Sequence, residues 1–239
     1  MPLKAILFDF NGVILDDEPI HAALIDEILL QENLRPQRGE YDQFCLGRSD
    51  RACLDNLLSR RGRVITADYL ETLIRKKAVA YQQWFTNSDP LPFFAGALPL
   101  LQHLRGSGLK IAIVTGALRS EVTLALARAE MTSAVDCIVS AEEVDRGKPY
   151  PDPYQRALER LQQQFPELAL AASDCLAIED TFAGIESAKA AGIRVMGVAH
   201  TYPFHMLQRR CHWVLDRLDQ FELEQVAAVF SRNAAVSCR

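Results

Sequence analysis

Residues 4–14, Lys4-Ala5-Ile6-Leu7-Phe8-Asp9-Phe10-Asn11-Gly12-Val13-Ile14, run an apolar segment straight into a carboxylate, an amide and a glycine. Continuous rather than alternating apolar residues suit a parallel strand covered on both faces. Ligands of open parallel sheets bind beyond the carboxyl ends of the strands, so Asp9 stands where a nucleophile or a metal ligand would. Later apolar runs have the same character: Lys110 to Val114, Cys175 to Ile178 and Val195 to Val198. Between them Ala97 to Gly106, Ser120 to Ala129, Pro153 to Phe165 and Ala183 to Ala191 carry apolar residues at helical spacing. Strands alternating with helices predict an α/β fold, a doubly wound parallel sheet of Rossmann-like type.

From Asp17 to about Trp84 the alternation stops. His21 to Gln31, Arg51 to Arg60 and Ala67 to Trp84 read as helices, with no buried strand among them. This predicts a small helical insert over residues 17–86, set into a core made of residues 1–16 and 87–239. It would join the core near Leu15 to Glu18 and again through Thr86-Asn87-Ser88-Asp89-Pro90-Leu91-Pro92, which has the composition of a hinge. The tail after Ser231 is expected to fray.

At 239 residues the chain is long enough for one large domain, or for a core with a small insert. With 49% hydrophobic and 24% charged residues it has the balance of an ordinary soluble protein. A net charge of -5 gives no electrostatic footprint for nucleic acid. Cys45, Cys53, Cys137, Cys175, Cys211 and Cys238 are scattered without metal spacing and read as reduced thiols, mostly core filler. No run is long enough to span a membrane, and the N-terminus enters a strand without a basic leader. A cytoplasmic protein is expected, a monomer or weak homo-oligomer with no nucleic-acid or membrane partner.

Further signals follow the later strands. Val114-Thr115-Gly116-Ala117 ends one with a hydroxyl and free amides that suit a phosphoryl oxygen, although Thr-Gly ends many strands. Lys148 lies in Arg146-Gly147-Lys148-Pro149-Tyr150-Pro151-Asp152, a loop stiffened by proline; read alone, it is a solvated loop lysine before it is anything else. Ile178-Glu179-Asp180-Thr181 ends an apolar strand with adjacent acids, which cost desolvation unless a cation compensates them; Asp180 alone reads equally as a helix cap.

Taken together, an acid, a hydroxyl, a lysine and an acid pair, each after a different strand and in this order, resemble the four motifs of the haloacid dehalogenase-like hydrolase superfamily. Gly184, Ser187-Ala188-Lys189-Ala190-Ala191-Gly192 and Phe94-Ala95-Gly96 are similar to the beta-phosphoglucomutase and CbbY-like phosphatase branch. The resemblance implies a hydrolase, a phosphatase acting on a small phosphorylated metabolite such as a sugar phosphate. Asp9 would form an aspartyl phosphate. Mg²⁺ would be held by Asp9, the backbone carbonyl of Asn11, Asp180 and, directly or through water, Glu179. Thr115 and Lys148 would bind the transferring phosphoryl group. The insert would be a cap that excludes water.

Within that cap, Gly47, Arg48 and Arg51 fall in the place of the branch's specificity loop, where either arginine would grip an anionic group or be a solvated helix start. Lys77 aligns with a site-facing cap lysine, but Arg75-Lys76-Lys77 reads first as a charged helix face. His21 aligns with a substrate-handling histidine or is a helix-face imidazole. Gly116 and Arg119 would line the phosphate end of the site.

One position departs from the family pattern. The second acid of its Asp-x-Asp-Gly motif, a general acid and base, is here Asn11, which has no titratable proton near neutral pH. The loss would be roughly 10² to 10⁴-fold for an alkoxide leaving group and less for an acyl or aryl phosphate. Three readings stay open: a phosphatase that is slow, selective for good leaving groups or served by another acid such as Asp17; a weakened module that binds a phosphorylated metabolite; and a residue introduced to trap a complex. A phosphosugar mutase depends more heavily on the missing acid. A carbon–halogen or carbon–phosphorus hydrolase fits less well, because such relatives usually lack part of the acid pair or place a Schiff-base lysine in the cap.

Overall fold

The computed structural model describes residues 2–236. The chain runs β1 (Ala5–Phe8), α1 (Glu18–Gln31), α2 (Glu40–Phe44), α3 (Asp50–Arg60), α4 (Ala67–Asn87), α5 (Ala97–Gly106), β2 (Lys110–Val114), α6 (Arg119–Arg128), β3 (Cys137–Val139), α7 (Asp152–Gln164), β4 (Cys175–Glu179), α8 (Phe182–Ala190), β5 (Arg194–Val198), α9 (Phe204–Leu207), β6 (Trp213–Leu215) and α10 (Leu223–Val236). The strands form one six-stranded sheet in the order β3-β2-β1-β4-β5-β6. Every pairing is parallel. This is the doubly wound fold that the alternation predicts. The expected strands are all present. The short β3 and β6 were not foreseen, since three residues carry too little pattern to read.

Successive strand residues leave opposite faces of the sheet, and here the two faces are unequal. Ile6 and Phe8, Ile111 and Ile113, Leu176 and Ile178, and Met196 and Val198 pack on one face with Leu101, Leu104, Val122, Leu126 and Phe230 from α5, α6 and α10. Ala5 and Leu7, Ala112 and Val114, and Cys175 and Ala177 pack on the other, with Tyr154, Ala157 and Leu161 of α7 and Ile185 and Ala188 of α8. Small strand residues on that second face let α7 and α8 come close. The parity continues past the strand ends, so Asp9 after Leu7 and Glu179 after Ala177 leave toward the α7 side.

Helices α1 to α4 share a core of their own: Ile25, Ile28, Leu29, Leu54, Leu57, Leu58, Leu70, Leu73 and Ile74. Ser49 and Thr66 cap α3 and α4 by accepting the N–H of Ala52 and Tyr69. The two connections to the sheet run side by side: Asp16 N–H donates to Pro92 O at 2.7 Å and Phe94 N–H to Ile14 O at 3.0 Å. Helix α10 continues through Val236, past the expected fraying point at Ser231; residues 237–239, including Cys238, lie outside the described residues. No helix among the described residues is long and apolar enough to cross a membrane.

The cysteine reading needs correcting at one pair. Cys45 and Cys53 form a disulfide, with Cα atoms 4.4 Å apart. The turn from the end of α2 into α3 brings them together, a juxtaposition that eight positions of sequence do not display. Cys137, Cys175 and Cys211 are free thiols, as expected. Peptide mapping should find Cys45 and Cys53 open to alkylation only after reduction. The Cys45→Ser/Cys53→Ser protein should lose about 2 kcal/mol of stability, the scale of closing so short a loop, seen as a lower urea midpoint.

Candidate active site

At the carboxyl end of the central strand, Asp9 N–H continues the ladder by donating to Ile178 O at 3.0 Å. Its side chain is buried, with Oδ1 accepting the Phe10 N–H at 2.7 Å. Lys148 Nζ reaches the same Oδ1 at 2.8 Å and Glu179 Oε1 at 2.7 Å. Glu179 Oε1 also accepts the Tyr154 hydroxyl at 2.5 Å, the contact that the close approach of α7 permits. Phe10 and Lys148 both contact Asp9 at Oδ1, which leaves Oδ2 for a reacting atom. Burial opposes the charge on Lys148, but Asp9 and Glu179 outweigh it and hold the ammonium above its ordinary range.

Asp9, Glu179 and Asp180 each offer a carboxylate oxygen, all within 4.8 Å of one another. Desolvation, with the Asp9 charge adding to it, pushes Glu179 up to about 8 and raises Asp180 as well. Thr201 donates to Asp180 Oδ2, while Asp180 Oδ1 and Glu179 Oε2 are buried without a hydrogen-bond partner. Orphaned hard oxygens gathered around one point are a donor set that fits a divalent cation such as Mg²⁺. Gly12 makes room for it: its φ is +76°, and a Cβ there would stand 2.0 Å from Asp180 Oδ2.

Asn11 sits between the two layers. Its Nδ2 donates to Asp17 Oδ2 at 2.8 Å, and its Oδ1 accepts weakly from Thr115 Oγ1 at 3.4 Å. The same Asp17 oxygen accepts the Tyr81 hydroxyl at 2.5 Å and faces His21 Nε2 at 3.3 Å. Burial works against the Asp17 charge, but the charge of His21 and hydrogen bonds from His21, Tyr81 and Asn11 prevail and hold the carboxyl below its usual range. Asp17 is thus held as an acceptor beside Asn11, which weighs against the open reading in which it serves as the missing acid. His21 Nδ1 lies 2.7 Å from Lys77 Nζ.

Lys77 is 2% exposed and pairs with Asp50 at 2.7 Å, so the charged-face reading fails. Leu73 and Tyr81, one turn to either side of it, are buried too, and that i±4 pattern is the signal that sets Lys77 on the inner stripe of α4. Thr115 is buried, and its Oγ1 accepts the Ala117 N–H at 3.0 Å. Arg48 joins Asp9, Asn11, His21, Gly47, Thr115 and Gly116 around an inner cleft of about 40 Å³. An outer cavity of about 430 Å³ continues past Thr115 and Lys148 to Arg51, which is paired with Glu71. Arg119 is turned away: its guanidinium binds Ile138 O at 2.7 Å and Glu143 at 2.5 Å, and the residue lines neither cavity. Sequence reading missed Tyr154, Asp50, Tyr81 and Glu121, polar groups whose partners come from other elements.

The two layers touch through glycines. A Cβ on Gly116 would lie 3.0 Å from the backbone of Arg48 and Ser49, and one on Gly47 2.5 Å from Thr181 Oγ1. The loop from Gly47 to Ser49 therefore rests directly on the turns after β2 and β4.

Residues 3–192 match the family model described as a haloacid dehalogenase-like hydrolase. The chain is 31% identical over 205 residues to the CbbY protein of Rhodobacter capsulatus, covering 82% of this chain and 85% of that one. It is 28% identical over 200 residues to a phosphorylated carbohydrates phosphatase of Thermotoga maritima, covering 83% and 87%. Among solved structures, a beta-phosphoglucomutase from Clostridium difficile shares the fold with a TM-score of 0.82 at 18% identity, over 98% of this chain and 99% of that one.

The seam makes a prediction of its own. Gly116→Ala should push the Arg48 backbone away by a few tenths of an ångström, so amides 46–49 should exchange hydrogen faster while those of β1 and β2 stay protected, as read by mass spectrometry.

Proposed function

We propose that this chain, which belongs to the haloacid dehalogenase-like hydrolases, is a Mg²⁺-dependent phosphatase of a small phosphorylated carbohydrate that works through an aspartyl phosphate on Asp9. The observation that carries the reading is the position of Lys148, whose ammonium bridges Asp9 Oδ1 and Glu179, while Asp9 lines a cleft shared with Thr115. Phosphoryl transfer needs a nucleophile and neutralisation of charge on the equatorial oxygens, and a carboxylate beside a buried ammonium and a hydroxyl supports that reading.

Asp9 attacks phosphorus, while Lys148 and the Thr115 hydroxyl hold the phosphoryl oxygens. Asp9, Asp180, the Asn11 carbonyl and, directly or through water, Glu179 would hold Mg²⁺, which would supply further charge neutralisation. The amide at position 11 leaves that carbonyl unchanged. Helices α1 to α4 act as a cap over the reacting centre, with the Gly47 to Ser49 loop as its contact. Support for a carbohydrate comes from the Thermotoga relative's name and from the walls of the outer cavity. Asp50, Asp55, Glu142 and Asp145 line it and offer carboxylate acceptors to sugar hydroxyls.

A second reading, a binding module with little turnover, is favoured by one observation: the Asn11 amide is engaged by Asp17 and carries no exchangeable charge. Phosphate release separates the two. The unmodified protein with Mg²⁺ should hydrolyse para-nitrophenyl phosphate and members of a hexose and hexitol phosphate panel. Asp9→Asn should cut the rate by at least about 10³-fold, the scale of losing a covalent nucleophile. Chelation of Mg²⁺ should stop turnover, and adding the ion should raise the thermal midpoint of the unmodified protein but much less that of Asp180→Asn. Binding of the same esters without release would select the second reading.

A further inference from the structure

With an amide at position 11, the inner cleft must find its transferable proton elsewhere. Asp17 is an ionised acceptor of several hydrogen bonds. His21 is engaged on both ring nitrogens, by Lys77 and by Asp17. Glu18 takes the Tyr41 hydroxyl at 2.6 Å. Asp17 Oδ1 is buried without a partner too, but the donors around Oδ2 keep that carboxyl ionised; Glu121 has no such set of side-chain donors. It sits in the first turn of α6, 1% exposed, with Oε2 accepting the Leu118 N–H at 3.1 Å. Its Oε1 is buried and has no hydrogen-bond partner. A bare buried carboxylate oxygen is costly, whereas a protonated carboxyl there has a hydrogen to give. Glu121 lines the same inner cleft as Asp9, Asn11 and Thr115. That cleft, about 40 Å³, has room for one or two waters.

We propose that Glu121 is the general acid and base of the reaction, acting through a water in the inner cleft in the role that Asn11 cannot fill. The inference rests on the phosphatase reading. In the first step the Asp9 Oδ2–phosphorus bond forms and the bond from phosphorus to the ester oxygen breaks. The proton from Glu121 passes through the water to that oxygen and releases an alcohol. In the second step the Glu121 carboxylate takes a proton, by the same route, from the attacking water. That water's oxygen bonds to phosphorus, and the Asp9 carboxylate departs with phosphate free.

The charged and titratable groups around Glu121 come from three other helices: His21 from α1, Asp50 from α3, and Lys77 and Tyr81 from α4. Burial pushes its carboxyl up to about 7, with Asp50 adding to the rise and Lys77 and His21 opposing it. A group poised there is available in both forms at neutral pH, as the two steps require.

Glu121→Gln tests this without unseating α6, because the amide oxygen still accepts the Leu118 N–H. The quantity to compare is kcat/KM, which covers events up to departure of the alcohol, for the best ester of the hexose and hexitol phosphate panel and for para-nitrophenyl phosphate. The variant should lose about 10²-fold on the alkyl ester. On the aryl ester, whose leaving group needs no proton, it should change by less than about threefold. For the unmodified protein the alkyl value should fall as pH rises through about 7, where Glu121 gives up its proton, and the variant should lack that limb. Adding Asn11→Asp with Asp17→Thr to Glu121→Gln should recover alkyl-ester turnover. Equal losses on both esters, no loss, or an alkaline limb that survives in the variant would overturn the role of Glu121. If para-nitrophenyl phosphate release is absent, or indifferent to Asp9→Asn, the phosphatase reading fails first and takes this inference with it.

Discussion

One buried ammonium organises the centre of this molecule. Lys148 is 5% exposed and stands between Asp9 and Glu179, with Asp180 close by. Carboxylates and a lysine removed from water cost several kcal/mol apiece unless they are paired. The pairing here is incomplete, since acids outnumber the cation and two of their oxygens find no partner. Much of the surrounding structure serves that arrangement. The small residues on one face of the sheet bring Tyr154 to Glu179, the glycine at position 12 clears space beside Asp180, and the Phe10 amide fixes one oxygen of Asp9 so that the other stays free.

The two unusual residues of the first motif are best understood together. Asn11 stands where the family pattern has an acid, and Asp17 is its hydrogen-bond partner. A carboxylate at both places would put like charges within hydrogen-bond distance, and one of them would have to hold a proton. With an amide at position 11 the contact is a 2.8 Å hydrogen bond, and Asp17 is free to bind the Tyr81 hydroxyl as well. The exchange turns a proton-carrying position into a strut between the sheet and the helices. Retention of the other motif residues fits an enzyme whose proton chemistry has moved, rather than one whose chemistry has been lost.

The sheet and the helical segment were legible because both rest on local pattern. Ile6 to Phe8 and Lys110 to Val114 are apolar throughout, as strands covered on both faces must be, and α5 begins and ends where its spacing of leucines says. What stayed illegible depends on partners far away in the chain. Lys77 is charged in a charged run; Leu73 and Tyr81 set it on the inner stripe of α4, but the Asp50 and His21 that pair with it there come from other helices. Cys45 and Cys53 pair because two helices meet at a turn, which no spacing rule announces. Glu121 looks like an ordinary first-turn acid; that it lines the inner cleft with one oxygen unpartnered depends on α1, α3 and α4, not on its own neighbours.

The central strand is made first and completed last. Ala5 pairs with Lys110 on one side and with Cys175 on the other. A chain emerging from the ribosome therefore carries its nucleophile long before the neighbours that flank it, while the helices between Glu18 and Asn87 already hold enough apolar residues to cluster by themselves. The cluster of Asp9, Thr115, Lys148 and Asp180 draws on four separate stretches of the chain, the last of them after β4. The cleft at the carboxyl end of the central strand is thus assembled only when segments far apart in the chain have come together around it.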